Sequence, residues 1–343
     1  MACKGGYVVI SNIKFKFYTM VLLGLAVIAT ACSATKASTV TSTTTKSISS
    51  HLTSINVGTL PAIDEVVIWL GVKQGFFKQH GLLVRYSNIS GGGAAIVPAL
   101  ESGSVQLAQF STPVFMTATA KGVPLKSIAG VDYIGGSVSP EAILVKSTSG
   151  INSISQLQNK VIAVNATNSL EMMRLLTEVL PAAHLTQSQV RIVPIPWPDM
   201  KEALLTGEVQ AVIPFEPFTT EIEQTPGVKV LTEMRRFVPR NGIALGIVAG
   251  MDSYVSSHPA VIKAFRAGLA ESIAYVENHP GQAAAVASNV LKIPQVITLK
   301  ALKTFEFNSE GKLDLKAMIN TAAALKASGL IPTSYNPDSY ITR

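Results

Sequence analysis

The chain has 343 residues, 48% of them hydrophobic and 14% charged, with a formal charge of +7. That length suits two domains of ordinary size, and the apolar content is enough to fill their cores, which excludes a disordered chain. Lys4, Lys14 and Lys16 lie in the first 31 residues with no acid among them, and later basic residues are dispersed, Arg235-Arg236 being the only adjacent pair, which argues against a nucleic-acid surface.

Residues 1–31 read as a signal peptide. A lysine-bearing stretch precedes MVLLGLAVIATA, an apolar run too short to span a bilayer comfortably and suited to a signal h-region. Ile28-Ala29-Thr30-Ala31-Cys32 resembles the lipobox of bacterial lipoproteins, in which the cysteine is acylated, although Ala29 stands where leucine is usual. Ala29-Thr30-Ala31 also satisfies the small-x-small rule of ordinary signal cleavage, which would give a secreted protein with no lipid. The only cysteines are Cys3 and Cys32, so Cys32 would have no partner in the mature chain, and this favours lipidation. The Ser/Thr-rich stretch that follows completes a tether over 32–54, too poor in large apolar side chains to fold.

From Ile55 short β-rich runs alternate with helical patterns, which predicts an α/β fold on mostly parallel sheets. Strands are expected at Ile55–Gly58, Leu82–Ser87 and Val105–Phe110, with helices at Glu65–Gln79 and Ala94–Glu101. Further on come strands Val161–Val164, Val190–Ile195 and Val209–Phe215, with helices Leu170–Leu180 and Met200–Leu205. ALESGSVQLAQF (99–110) and ALLTGEVQAVIPF (203–215) share Ala, Leu, Gly, Val and Gln at matching offsets. Each glycine reads as a helix C-cap, which explains part of the likeness, and the repeat predicts two lobes of like architecture. The apolar strands at 141–146 and 242–250 are read as the two crossings. They divide the chain into one lobe over 55–143 plus 247–343 and another over 144–246. The C-terminal part is mainly helical, including 258–280 between Pro259 and Pro280.

Ligands in open α/β sheets bind beyond the carboxyl ends of the strands, and those turns supply the candidate site. In the first lobe they hold Asp64, then Ser90, Gly91 and Gly92, where bare backbone can approach a ligand, then Ser111 and Thr112 before Pro113. In the second lobe they hold Asn165, Thr167, Asn168 and Ser169, then Trp197 with Asp199, then Phe215-Glu216-Pro217. Each has a plainer reading. Asn168 with Glu171 forms a capping box, Ser169 would cap nearly as well, and Asp199 with Glu202 repeats that spacing. Trp69 reads as core. Trp197, between two prolines, suits stacking on a ligand, and Glu216 is either solvated or a partner for a cationic group. Four polar residues within Asn165–Ser169 exceed what a cap needs, and a helix start also offers free N–H groups to an anionic or polar ligand.

Signals of catalysis are weak. None of the five histidines has metal-ligand spacing, and no G-x-S-x-G elbow, Walker loop or G-x-G-x-x-G fingerprint occurs. Neither a cofactor nor a metal is expected. The chain reads as one built to bind, not to turn over.

GVKQGFFKQHGLLVRY (71–86), SGGGAAIVPALESGSVQLAQF (90–110), SGINSISQLQNKVIAVNATNS (149–169), PWPDMKEALLTGEVQAVIPFEPF (196–218) and the stretch 258–287 resemble the substrate-binding proteins of bacterial ABC importers in the nitrate/sulfonate/taurine and thiamine-pyrimidine-precursor (NMT1/THI5-like) group. The resemblance implies a two-lobed periplasmic-binding-protein fold of type II, a Venus flytrap, closing on a small molecule and delivering it to a permease with its ATPase. It implies a monomer outside the cytoplasm, held to the membrane through Cys32. Gln106 and Gln210 stand where the family commonly has Asp, and both positions are expected to be structural. Two rivals are a sensing module of the same fold and a same-fold biosynthetic enzyme, the latter at odds with export. Hydroxyls, amides and helix starts favour a sulfonate, nitrate or similar oxyanion, whereas Trp197, Asp64 and Glu216 suit an amino-pyrimidine; the balance tips towards an oxyanion-bearing organic compound.

Overall fold

The computed structural model describes residues 52–134, 139–237, 242–308 and 310–342. The signal segment, Cys32 and the tether up to residue 51 lie outside the described residues.

Two five-stranded sheets form the frame. The first contains β1 (Thr53–Thr59), β2 (Leu82–Asn88), β3 (Leu107–Ser111), β4 (Leu125–Gly130) and β12 (Gly246–Met251), in the order β2-β1-β3-β12-β4. The second contains β6 (Ala142–Lys146), β7 (Val161–Val164), β8 (Arg191–Pro194), β9 (Ala211–Val212) and β10 (Val228–Glu233), in the order β10-β6-β9-β7-β8. In each sheet three parallel strands are followed by one of opposite direction, and the fifth strand pairs antiparallel with that one. Read from the parallel edge, β2-β1-β3-β12-β4 corresponds to β8-β7-β9-β6-β10.

The internal repeat falls at equivalent places in the two sheets. Gln106 accepts from the Asn56 N–H at 2.8 Å and donates to the Gly103 carbonyl at 2.9 Å. Gln210 accepts from the Val161 N–H at 3.1 Å and donates to the Gly207 carbonyl at 3.1 Å. Each amide thus joins a helix-ending glycine to a neighbouring parallel strand. This needs both a donor and an acceptor, which an ionised Asp cannot supply.

The strand at 141–146, expected as a crossing, lies inside the second sheet between β10 and β9, and β12 lies inside the first between β3 and β4. On the path between the sheets β5 (Asp132–Ile134) pairs antiparallel with β11 (Ile243–Ala244), and β13 (Glu306–Phe307) completes a small third sheet. The helix expected over 65–79 is broken at Gly75, whose φ of 80° ends Val66–Gln74 before Phe76–Gln79 begins. The long helix Pro259–Asn278 starts at its proline and packs Phe265 in a stack on Phe77, ring centroids 5.0 Å apart. One continuous apolar core runs from the first sheet to the inner face of the second, taking in Val57, Phe110, Leu170, Trp197 and Phe215. A separate cluster around Ile162, Leu175 and Ile213 fills the other face of the second sheet. Among the described residues, no helix is long and apolar enough to cross a membrane.

Candidate functional site

The parallel strands of both sheets point their carboxyl ends at one enclosed cavity. Its walls stand close together and leave a cavity of about 30 Å³, room for water and little more. The turn after β1 supplies Leu60, Ala62, Asp64 and Glu65, the turn after β2 supplies Gly92 and Gly93, and Ser111 closes β3. From the second sheet come Asn165, Ser169, Leu170 and Glu171 after β7, Trp197 after β8 and Phe215 after β9. Phe110, Val114, Leu245 and Gly246 complete the lining. No Lys, Arg or His is among these residues.

Three helices begin at the wall. Gly93–Glu101 starts after Gly92, Thr112–Ala120 after Ser111, and the helix from Leu170 after Ser169. Each helix turns its positive end to the cavity, although Thr112 gives its N–H to the Leu245 carbonyl at 2.8 Å and Pro113 has none to give. The turn after β7 is capped by Ser169, whose hydroxyl accepts from the Met172 N–H at 3.2 Å. Asn168, the other candidate cap, sits one residue too early. It lies instead against the glycine turn of the first sheet: a Cβ added to Gly93 would fall 2.8 Å from its Nδ2. A Cβ on Gly92 would fall 2.9 Å from Asn165 Nδ2, and at φ 56°, ψ −140° Gly92 adopts a backbone that only glycine takes readily. The two turns therefore touch, and small size on one side is what lets the amides approach from the other.

The carboxyls are the chemical signature of the site. Glu65 accepts from the Leu60 N–H at 3.0 Å through Oε1, while Oε2 has no partner among the protein's own groups. Asp64 accepts from Gln109 Nε2 at 3.3 Å through Oδ2, and its Oδ1 likewise lacks a partner. Both residues are buried, 6% exposed for Asp64 and 1% for Glu65. Burial raises the Asp64 carboxyl to about 6, and burial with the nearby Asp64 charge pushes Glu65 well above the usual carboxylate range. Asp132, on β5 behind them, accepts from the Gly246 N–H at 2.7 Å and is also pushed up, by burial and by Asp64. Glu171 accepts from Trp197 Nε1 at 2.7 Å; burial and then the Glu141 charge raise it to about 7. Behind the wall the guanidinium of Arg174, fully buried, binds Glu141, Glu178 at 3.1 Å, Ser139 at 3.2 Å and the Met234 carbonyl.

The aromatic part of the wall is layered. Trp197 stacks on Phe215 with centroids 5.4 Å apart, and Phe215 meets the edge of Phe305 at 5.6 Å. Trp197 is the first residue of a helix, Trp197–Thr206, and not part of a loop, so Asp199 lies in its first turn and does not cap it.

Of the residues singled out from sequence, Asp64, Gly92, Ser111, Asn165, Ser169 and Trp197 line the cavity. Gly91 is half-buried beside it and Ser90 is exposed. Thr167 is exposed at the outside of its turn. Thr112 turns inward, donating from its hydroxyl to the Leu245 carbonyl at 3.1 Å. Glu216 is buried but faces a different recess, bounded by Thr219, Lys300 and Thr304. Its carboxylate accepts from the Thr220 N–H at 3.0 Å and hydroxyl at 2.7 Å, and burial raises it to about 7. Its carbonyl accepts from the Ile63 N–H at 3.0 Å, a tie between the two sheets' turns. Sequence reasoning missed Glu65, Glu171 and the ring of Phe215. Glu65 adjoins Asp64 in the same strand-end turn, so reading that turn to its end would have found it. Glu171 was absorbed by the capping-box spacing. Among the described residues, no group of three His, Cys, Asp or Glu side chains could hold a metal ion.

The family described as NMT1/THI5 like matches residues 64–283. The taurine-binding periplasmic protein of Escherichia coli K12 is 26% identical over 282 residues, covering 78% of this chain and 85% of that one. Among solved structures, the alkanesulfonate-binding protein SsuA from Xanthomonas axonopodis pv. citri, bound to MOPS, superposes with a TM-score of 0.72 at 18% identity, covering 84% of this chain and 98% of that one. The periplasmic nitrate-binding protein NrtA from Synechocystis PCC 6803 superposes with a TM-score of 0.70 at 12% identity, covering 84% and 86%. These structures share with this chain the two-lobed fold of periplasmic binding proteins.

Proposed function

The chain belongs to the NMT1/THI5-like family, and from that premise we propose that it is an extracytoplasmic solute-binding protein. It captures a small polar organic or oxyanion solute between its lobes and hands it to the permease and ATPase of an ABC importer. It binds and does not catalyse, works as a monomer, and is held to the membrane through an acylated Cys32 and the tether after it.

The observation that carries this reading is a single cavity walled by the strand-end turns of both sheets. A solute there touches both lobes at once, so it favours the closed arrangement by whatever contacts the open one lacks. The Ile63–Glu216 hydrogen bond and the Gly92–Asn165 and Gly93–Asn168 approaches are contacts that closure would form and opening would break. The taurine-, alkanesulfonate- and nitrate-binding relatives support a ligand from those classes.

The test is a melting and solution-scattering screen with taurine, an alkanesulfonate, nitrate and an aminopyrimidine. A binding solute should raise the melting temperature and shrink the radius of gyration without changing helix content. A solute that binds without compaction would refute the flytrap. For the anchor, Cys32→Ser expressed in a bacterial host should lose its lipid mass and leave the membrane fraction; a wild-type protein without lipid would refute that part.

A further inference from the structure

We infer that Asp64 and Glu65 form the recognition end of the cavity and select solutes carrying a primary amine, so that an oxyanion without an amine is rejected. This deepens the solute-binding reading above and rests on it.

The argument begins from acceptors without donors. Asp64 Oδ1 and Glu65 Oε2 are buried, belong to residues lining the cavity, and meet no donor from the protein. A buried polar oxygen left unpaired is costly, so what enters the cavity there is selected for groups that can hydrogen-bond to a carboxyl. The oxygens that are paired fix the direction of the others. The Leu60 N–H holds Glu65 Oε1 and Gln109 holds Asp64 Oδ2, so each carboxyl is pinned by one oxygen and offers the second.

Charge points the same way. Asp64, Glu65 and Glu171 line the space with no Lys, Arg or His to balance them. Asp132 repels Asp64 and Glu65 from behind. Burial holds both carboxyls towards the protonated form; an ammonium placed between Asp64 and Glu65 would favour their charged forms, whereas nitrate would oppose them. The helix start at Gly93 supplies N–H groups elsewhere on the wall, able to take a second, anionic end of a zwitterion. Trp197, Phe215 and Phe110 bound the space with apolar faces. The arrangement fits an amine-headed solute whose body is short or flat.

The experiment uses matched pairs on the chain expressed with its own N-terminal segment. Titration calorimetry compares taurine with ethanesulfonate and a 4-aminopyrimidine with its 4-hydroxy counterpart, with nitrate alongside. At least one amine member should bind ten times or more tighter than its partner. Glu65→Gln should then weaken that amine tenfold to a hundredfold, the range for a lost hydrogen bond to a charged group. Its Oε1 can still accept from Leu60, so melting of the unliganded protein should not fall. Equal binding of the amine-free partner, or binding of ethanesulfonate or nitrate alone, overturns the inference and leaves the flytrap reading standing. Unchanged amine affinity in a well-folded Glu65→Gln also overturns it. Should Glu65→Gln fail to fold, Asp64→Asn with the same readouts decides. If no member of the panel binds, both this inference and the solute-binding reading above fail.

Discussion

Replacing Glu171 by Gln should make the unliganded protein more stable above neutral pH and leave it nearly unchanged in acid. Glu171 is 1% exposed, and its carboxyl is raised from 4.5 to about 7, first by burial and then by the charge of Glu141. A displacement of that size corresponds to roughly 3 kcal/mol. The sign follows from linkage. A carboxyl raised in the folded state favours folding while protonated, so its contribution is complete below about 4.5 and is lost as pH rises through about 7. Gln resembles the protonated acid, keeps an oxygen to accept from Trp197 Nε1, and does not titrate. The difference between variant and wild type should therefore be near zero at pH 4 and climb to roughly 3 kcal/mol by pH 8.5. With an unfolding entropy of about 2.1 cal/mol/K per residue, that is about 4–5 °C in melting temperature for a chain of this size. Denaturant titrations of both proteins across this range, plotted as a difference, cancel the contributions of Asp64, Glu178 and Glu216, which are raised in both. A flat difference curve, or a variant less stable than wild type at pH 8.5, would refute the reasoning that burial dominates at this carboxyl.

Arg174→Met should cost roughly 3–5 kcal/mol in chemical denaturation, because it leaves the fully buried Glu141 without its cation; a loss under about 1 kcal/mol would show that the acid relaxes or stays protonated at little cost. Ser169→Ala removes the cap on the Met172 N–H and should lower stability by about 1 kcal/mol as well as weaken solute binding, whereas Thr167→Ala, at an exposed position, should change neither; the opposite order in melting and calorimetry would displace the wall assigned to this turn. Gly92→Ala should cost about 1–3 kcal/mol in backbone strain and, by crowding Asn165, reduce the compaction that solute produces in scattering; full compaction would show that the two turns need not touch.

Much of the frame is legible in the sequence. Strand and helix patterns, the glycine-ended repeat and the strand-end turns all follow from local chemistry, because alternation, capping and turn geometry act over a few residues. That is why reading only the ends of strands picks out Asp64, Gly92, Asn165, Ser169 and Trp197, which line the cavity. Even there, one residue of register escaped: Asn168 and Ser169 compete for the same cap in sequence, and only the helix start at Leu170 separates them.

What the sequence left open depends on neighbours far along the chain. Thr112 and Glu216 sit at the right turns but spend their polar atoms on the Leu245 carbonyl and on Thr220, and no local rule says which way a side chain leaves a turn. Glu171 looked like a capping partner until Trp197, twenty-six residues later, donated to it. The strand at 141–146 has the composition of a crossing, yet the lateral order of strands puts it inside a sheet. The acidity of the cavity is likewise a tertiary fact. Asp64, Glu65 and Glu171 come from two sheets, and only packing decides that they share one enclosed space without a cation, because the cost of burying charge depends on what else is buried beside it.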